Sequence, residues 1–110
     1  MKFIFEVRLK PGRSAAEYAN AWVQASEIIQ RAPGARGTQL HRKIGDATTM
    51  LAIASWESKE ARDARDAFLK PDAAIRAILD AHLDIVDFKL IGEFEEPEWI
   101  VEPIAARTKS

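Results

Sequence analysis

Apolar and polar residues alternate in two neighbouring stretches near the middle of the chain, and a turn sequence precedes them. Pro33-Gly34 is typical of a helix end, because proline cannot continue a helix and glycine readily adopts the left-handed backbone found there. Residues 38–44 and 49–56 alternate as strands do, and Gly45-Asp46 lies between them. This pattern predicts an antiparallel hairpin with a helix on either side.

The amino-terminal part of the chain predicts a strand followed by a helix. Residues 3–9 place Phe3, Phe5, Val7 and Leu9 on one face, with Ile4, Glu6 and Arg8 on the other. Pro11-Gly12 then turns the chain, and Ser14 with Glu17 forms a capping box that begins a helix. One apolar stripe follows at helical spacing: Ala15, Tyr18, Trp22, Ala25, Ile29 and Ala32.

Two further helices and a last strand are predicted after the hairpin. Ser58 caps a helix that runs to about Leu69, and Lys70-Pro71 interrupts it. Asp72 caps a third helix, whose apolar positions include Ile75, Ile78 and Leu79. Residues 85–94 form the last strand. The order β-α-β-β-α-α-β predicts an α+β, ferredoxin-like domain over residues 1–94, with helices on one face of an antiparallel sheet.

The second face of this sheet needs a cover, because Ile4 lies there beside Glu6 and Arg8, a mixture that fits a subunit interface. We therefore expect a homodimer. The tail, residues 95–110, has no place in a four-stranded monomer but carries a group of apolar side chains, so we expect it to pack on the partner subunit. Those side chains are Trp99, Ile100, Val101 and Ile104.

Composition removes several classes of function. The 110 residues include 16 basic and 17 acidic side chains, a balance that gives no electrostatic case for binding nucleic acid or an anionic membrane. Cysteine is absent, which excludes disulfides, thiolate nucleophiles and cysteine metal sites. Neither a secretory leader nor a run of membrane-spanning length is found, so a cytoplasmic protein is expected. The acidic run at residues 93–98 is interpreted as solvated rather than as a catalytic carboxylate pair.

Two histidines are the conspicuous titratable groups. His82 follows the apolar positions of the third helix near its carboxyl end, where it is either a helix-end residue or a general base at a pocket mouth. His41 lies on the second strand and is interpreted as a surface or interface group. No spacing around either histidine matches a metal motif, so no metal site is expected.

Several aromatic residues lie where they either fill the core or line a cavity between helix and sheet. In a cavity they would offer flat surfaces suited to an aromatic substrate. The candidate substrate-binding residues are Phe5, Tyr18, Trp22, Trp56 and Phe68.

The order of elements and several short motifs together resemble the antibiotic biosynthesis monooxygenase family. The likeness covers about residues 2–94 and includes a PG turn, a strand ending in basic residues and a strand ending in W-E-S. Its landmarks in this chain are Pro11-Gly12, Trp22, Pro33-Gly34, Leu40, Arg42 and Trp56-Glu57-Ser58.

The resemblance implies a dimeric α/β barrel with a ligand pocket in each subunit. It also implies cofactor-independent oxidation of a small aromatic, phenolic or quinol-type substrate by dioxygen, with no cofactor. His82 is the candidate catalytic residue for this chemistry. A related group degrades haem with an Asn, a Trp and a His, but this chain has Val7 and Phe68 at the first two positions and matches only at His82. The alternative is a small-ligand-binding or regulatory dimer, since one fold supports many functions.

Overall fold

The computed structural model describes residues 1–69 and 73–104. Four strands and three helices follow one another along the chain in the order β-α-β-β-α-α-β, as predicted. They are β1 (Lys2–Leu9), α1 (Ala15–Ile29), β2 (Ala35–Lys43), β3 (Asp46–Trp56), α2 (Lys59–Leu69), α3 (Ala73–Asp84) and β4 (Val86–Phe94).

The four strands form one antiparallel sheet in the order β2-β3-β1-β4, with the two central strands paired along nearly their whole length. This order confirms the predicted ferredoxin-like α+β fold. One irregularity in the pairing of β1 with β4 falls between Ile4 and Phe5, where Gly92 pairs with Ile4 but Leu90 pairs with Phe5. Ile91 is therefore the extra residue of a bulge, which bends β4 at the sheet edge.

The hairpin turn lies one residue earlier than its predicted position at Gly45-Asp46. Lys43 pairs with Asp46, which leaves Ile44 and Gly45 as the two turn residues, and Gly45 has a φ of 85°. The Asp46 carboxylate accepts hydrogen bonds from the backbone N–H and hydroxyl of Thr48 and from the hydroxyl of Thr49. These bonds hold Asp46 at the start of β3 and explain the shift.

Both predicted serine caps are present. The Ser14 hydroxyl accepts from the Glu17 backbone N–H at the start of α1, and Ser58 accepts from the Ala61 backbone N–H at the start of α2. Each bond satisfies an amide that the first helical turn leaves without an intrahelical partner. The predicted break at Lys70-Pro71 and the predicted cap at Asp72 lie outside the described residues.

The core lies between the sheet and helices α1 and α3. Val7 of β1 and Met50 of β3 pack beneath Tyr18 of α1, with Ile85 and Val86 completing the buried cluster. Phe5 and Leu9 pack against this cluster, as the predicted alternation of β1 requires. By contrast, none of the residues of α2 is buried, so α2 is held on the sheet by half-exposed contacts.

Gly34 brings the segment before β2 close to helix α2. Its φ is 85°, a left-handed value, and a Cβ added there would lie 2.6 Å from the Cβ of Ala61. The Gly34 carbonyl accepts a 2.7 Å hydrogen bond from the Glu57 backbone N–H. Glycine is therefore needed here for both backbone conformation and space.

The sheet face opposite the helices and the tail remain without a cover in the described part of this single chain. Ile4 pairs with Ile53 on that face, and at the β4 edge Ile91 and Phe94 are about half exposed. Beyond β4 the tail carries four strongly exposed apolar side chains, led by Trp99 at 86%. They are Trp99, Ile100, Val101 and Ile104.

Candidate functional site

A cavity of about 410 Å³ lies between the helix-bearing face of the sheet and the three helices. Its floor is a row of paired strand residues, since Thr38 of β2 and Phe3 of β1 both pair with Ala54 of β3. Side chains from α1, α2 and α3 form the walls. The described lining residues are Phe3, Phe5, Trp22, Ser26, Ile29, Gln30, Thr38, Ala54, Trp56, Arg62, Arg65, Asp66, Leu69, Arg76, Leu79, Asp80, His82, Leu83 and Phe88.

Aromatic rings from the sheet and α1 give the cavity an apolar side. Phe5 meets Phe88 edge to face, with ring centroids 5.1 Å apart and planes at 80°, and Phe3 lies 5.8 Å from Phe5. Trp22 and Trp56 add the two largest rings. Such surfaces stack favourably on planar conjugated ligands.

His82 presents a neutral imidazole to this cavity. Only 9% of the residue is exposed, and its Nδ1 is hydrogen-bonded to the backbone carbonyl of Leu79, one helical turn earlier. A carbonyl oxygen can only accept, so Nδ1 carries the proton and donates it to this bond. The lone pair of the neutral ring is therefore on Nε2, which is the nitrogen able to accept a proton from a ligand.

The surroundings of His82 favour its neutral form. Burial lowers the pKa of His82 because it disfavours the imidazolium, and the nearby Arg65 cation lowers it further. The Leu79 carbonyl and the Asp80 carboxylate act in the opposite direction on the same pKa. Burial is the largest of these influences, so the neutral imidazole, with its one proton on Nδ1, is favoured over the imidazolium.

Tyr18 lies beneath His82 rather than in the cavity wall. Its ring is parallel to the imidazole within 24°, with centroids 6.4 Å apart, and the residue is completely buried. The hydroxyl has no hydrogen-bond partner within the described residues, and burial raises the pKa of Tyr18 well above its usual range. Tyr18 therefore stays uncharged and supports the histidine ring by packing.

Charged side chains from α2 and α3 form the polar side of the cavity. The Arg62 guanidinium lies 4.2 Å from the centre of the Phe3 ring, in cation–π geometry. Arg65 Nε lies 3.2 Å from a carboxylate oxygen of Asp66. Arg76 and Asp80 come from α3, and together the described wall residues comprise three arginines and two aspartates.

The structure brings together four of the six residues predicted for the site: Phe5, Trp22, Trp56 and His82 line one cavity. Tyr18 is in the core below it, and Phe68 is 52% exposed on α2 and does not belong to the described lining. That these residues contact a substrate stays a prediction.

Sequence reasoning missed the arginine-bearing wall and the ring of Phe88. A signal for the wall exists, because Arg62, Arg65, Asp66 and Leu69 recur at the spacing of one helix face and all four line the cavity. Any solvated helix face shows the same spacing, so spacing alone could not distinguish a cavity wall from a solvent-exposed face. Phe88 follows from strand pairing, because it lies opposite Val7 on the core-facing side of the sheet.

The described residues present neither a cluster of metal-ligating side chains nor a helix able to span a membrane. Over residues 1–69 and 73–104, His, Cys, Asp and Glu side chains form no group of three or more that could hold a metal ion. His41 pairs with Leu51 in the hairpin and is exposed, away from His82 on α3. Of the helices described, none has the length and apolar character required to span a membrane.

A family model named antibiotic biosynthesis monooxygenase matches residues 2–70, well over half of the chain. The chain belongs to this family. The resemblance predicted from the PG turns and the W-E-S motif is thus confirmed, and membership supports a monooxygenase-type function. Among curated proteins, none matches this sequence at a significant level.

Solved structures of the family share the fold at low sequence identity. A variant of SnoaB, a cofactor-independent oxygenase from Streptomyces nogalater, superimposes with a TM-score of 0.74 at 18% identity, covering 92% of this chain and 96% of that one. A putative antibiotic biosynthesis monooxygenase from Bordetella bronchiseptica gives 0.67 at 19% identity, with 87% and 96% covered. One from Chloroflexus aurantiacus gives 0.63 at 16% identity, with 94% and 96% covered.

Proposed function

We propose that this family member is a cofactor-independent monooxygenase that oxidises a small aromatic substrate of the phenolic or quinol type with dioxygen. The observation that carries the proposal is the neutral, buried His82 on the wall of an aromatic cavity, with Nε2 left to accept a proton. A base placed beside aromatic rings is suited to converting such a substrate into its anion.

An anthrone, the keto tautomer of a phenol with an acidic ring CH₂, is a substrate of this type. His82 removes one proton and leaves an electron-rich carbanion, which transfers an electron to dioxygen; the two radicals then combine to form a carbon–oxygen bond. The resulting peroxide takes the proton back from His82 and loses water as the second C–H proton departs. The ring CH₂ becomes C=O, one oxygen atom enters the product and the other leaves as water, so the substrate supplies all four electrons.

The second candidate is a ligand-binding or regulatory dimer whose cavity holds an apolar metabolite. A cavity without polar groups would favour that function, because storage of an apolar ligand needs only apolar walls. This cavity combines aromatic rings with a base and charged groups from α2 and α3, which supports the enzymatic proposal.

Oxygen consumption by the purified, metal-free protein tests the proposal directly. We expect uptake with at least one member of a panel of anthrones, quinols and small phenols, with product formed in proportion, while haem binding is followed in parallel by absorbance. The anthrone member should yield the quinone with one oxygen atom from ¹⁸O₂. Saturable binding of the same compounds without uptake on any of them would contradict the proposal and favour the ligand-binding dimer.

We also propose that the protein is a homodimer in which the tail, residues 95–110, packs on the partner subunit. Proteins of this family are typically dimeric. The uncovered sheet face and the exposed apolar side chains Trp99 and Ile100 support this arrangement, because so much apolar surface is uncommon on a soluble monomer.

The double substitution Trp99→Glu and Ile100→Glu should weaken this dimer. Burying each side chain contributes about 1.5–3 kcal/mol, so the dissociation constant should rise by at least a factor of about 100. Sedimentation equilibrium of the full chain measures it. Ile44→Glu is the matched control, because Ile44 is 99% exposed at the hairpin turn and should not change the constant. An unchanged constant in the tail variant would contradict the proposed tail contact.

A further inference from the structure

Arg62 is a charged side chain of the cavity wall that carries a buried hydrogen-bond donor without an acceptor among the described residues. Its Nε is buried and has no hydrogen-bond partner within the described residues. Its Nη1 lies 3.5 Å from an Asp63 oxygen, and the Asp63 carboxylate is shared with Lys59, whose Nζ lies 2.8 Å from the other oxygen. A buried N–H donor without an acceptor is costly, and one on a cation more so.

The neighbouring arginine on the same helix differs in this respect. Arg65 lies one turn further along α2 and also lines the cavity, but its Nε already faces the Asp66 carboxylate at 3.2 Å. Arg62 is instead held by stacking on Phe3, a contact that fixes the position of the guanidinium without using its N–H groups. The guanidinium of Arg62 therefore lies in the cavity wall with one N–H group, on Nε, that has no acceptor among the described residues.

We propose that the natural substrate carries an anionic oxygen, and that Arg62 binds it while the aromatic rings hold the substrate plane. Arginine suits this role because its planar guanidinium binds carboxylate and phenolate oxygens through charge-assisted hydrogen bonds. An acceptor at this point would satisfy the unpartnered Nε. It would also balance a wall in which the described arginines outnumber the aspartates by three to two.

This inference rests on the proposed function and narrows it, since it names the substrate class for the same cavity. The anionic oxygen has two chemical sources: a carboxylate already on the substrate, or a ring hydroxyl that is ionised on binding. Both demand the same contact from Arg62. They differ in whether the ligand loses a proton when it binds.

Calorimetric titration with naphthalene probes tests the inference without requiring turnover. We expect the wild-type protein to bind 2-naphthoate at least about tenfold more tightly than methyl 2-naphthoate, the size of effect that one hydrogen bond to a charged group provides. Alternatively, 2-naphthol loses its proton on binding, to His82 or to the buffer, which is detected by the longer-wavelength absorption of the naphtholate anion, and this result assigns the anion to the ring hydroxyl.

Arg62→Met keeps a long apolar side chain over Phe3 but removes the cation and its donors. It should abolish the preference for naphthoate, or the loss of the naphthol proton on binding, while leaving the affinity for methyl 2-naphthoate within about twofold. Arg62→Lys should restore part of the preference, because it restores the charge without the fork of donors. Unchanged binding of the ester and a normal melting curve show that the cavity remains folded.

Arg13→Met is the matched control, because Arg13 is paired with Glu17 outside the described cavity lining and its loss should keep the preference. Arg65→Met tests the neighbouring cation on the same wall. Loss of the preference in Arg65→Met but not in Arg62→Met would overturn the assignment. The assignment would also be overturned if the wild type bound naphthoate and the ester equally and naphthol lost no proton on binding. It would be overturned as well if neither acidic probe bound at millimolar concentration. Because oxygen uptake is measured separately, a protein that binds the anion but consumes no oxygen would contradict the proposed function alone.

Discussion

Replacing His82 with Gln is expected to lower kcat for oxygen consumption by roughly 10²–10⁴-fold, the contribution typical of a positioned general base. Glutamine keeps a similar volume in the partly buried position and retains a hydrogen-bond donor for the Leu79 carbonyl, but it cannot take up a proton. KM should change little, because the aromatic walls that hold the substrate remain. Steady-state oxygen uptake gives both constants.

The pH dependence of kcat/KM should also reflect the protonation of His82. The catalytic form of His82 is the neutral imidazole, and burial lowers its pKa, so kcat/KM should stay level below the ordinary histidine pKa and fall only as the pH drops through the lowered value. Asp80→Asn removes a carboxylate that raises this pKa and should move the acid limb to lower pH. Arg65→Gln removes a cation that lowers it and should move the limb to higher pH.

His41→Gln controls for the loss of a histidine as such. His41 is exposed on β2 and should leave kcat and the acid limb unchanged. Full turnover in His82→Gln, or an acid limb that moves with neither Asp80→Asn nor Arg65→Gln, would remove His82 from the mechanism. Measurement of each variant's melting temperature separates a loss of chemistry from a loss of fold.

Gly34→Ala is expected to lower the free energy of unfolding by about 2–5 kcal/mol. An L-residue in the left-handed region costs about 1–2 kcal/mol, and forcing a methyl group into packed space costs about 1–3 kcal/mol more. The added Cβ would lie 2.6 Å from the Ala61 Cβ, so helix α2 or the start of β2 must shift. Urea unfolding at one fixed protein concentration measures the loss.

Gly12→Ala separates the two causes. Gly12 has nearly the same backbone conformation, with a φ of 82°, but a Cβ added there meets no atom within 4 Å. It should therefore lose only the conformational part, about 1–2 kcal/mol. Equal losses in the two variants would show that the contact with Ala61 relaxes without cost. The double variant Gly34→Ala with Ala61→Gly should recover part of the stability if the contact is the cause.

The fold could be predicted from the sequence because the patterns that specify it each involve a few neighbouring residues. Alternation along β1 determined which side faces the helices, and the serine caps at Ser14 and Ser58 fixed two helix starts within a residue. The hairpin turn was misplaced by one residue, because the pattern does not show that the Asp46 side chain bonds to Thr48 and Thr49 and thereby joins β3. Side-chain hydrogen bonds of this kind compete with the simple turn preference of Gly-Asp.

The site was less predictable, because it depends on which donors remain unpaired after folding. The rings of Trp22 and Trp56 could be assigned to a wall by helix and strand periodicity. Nothing in the sequence separates Arg62 from Arg65, since both lie on one face of α2 and differ only in their tertiary partners. Likewise, the sequence allows His82 to be placed at a helix end but does not show which of its nitrogens is protonated.

The bond between His82 and Leu79 also affects how the cavity can admit a ligand. Both residues belong to α3, so the ring orientation and the protonated nitrogen are set within one helical turn and need no partner from the sheet. Helix α2, which buries no residue, is the wall with the weakest attachment. Because this bond lies within α3, a displacement of α2 would leave the orientation of the base unchanged.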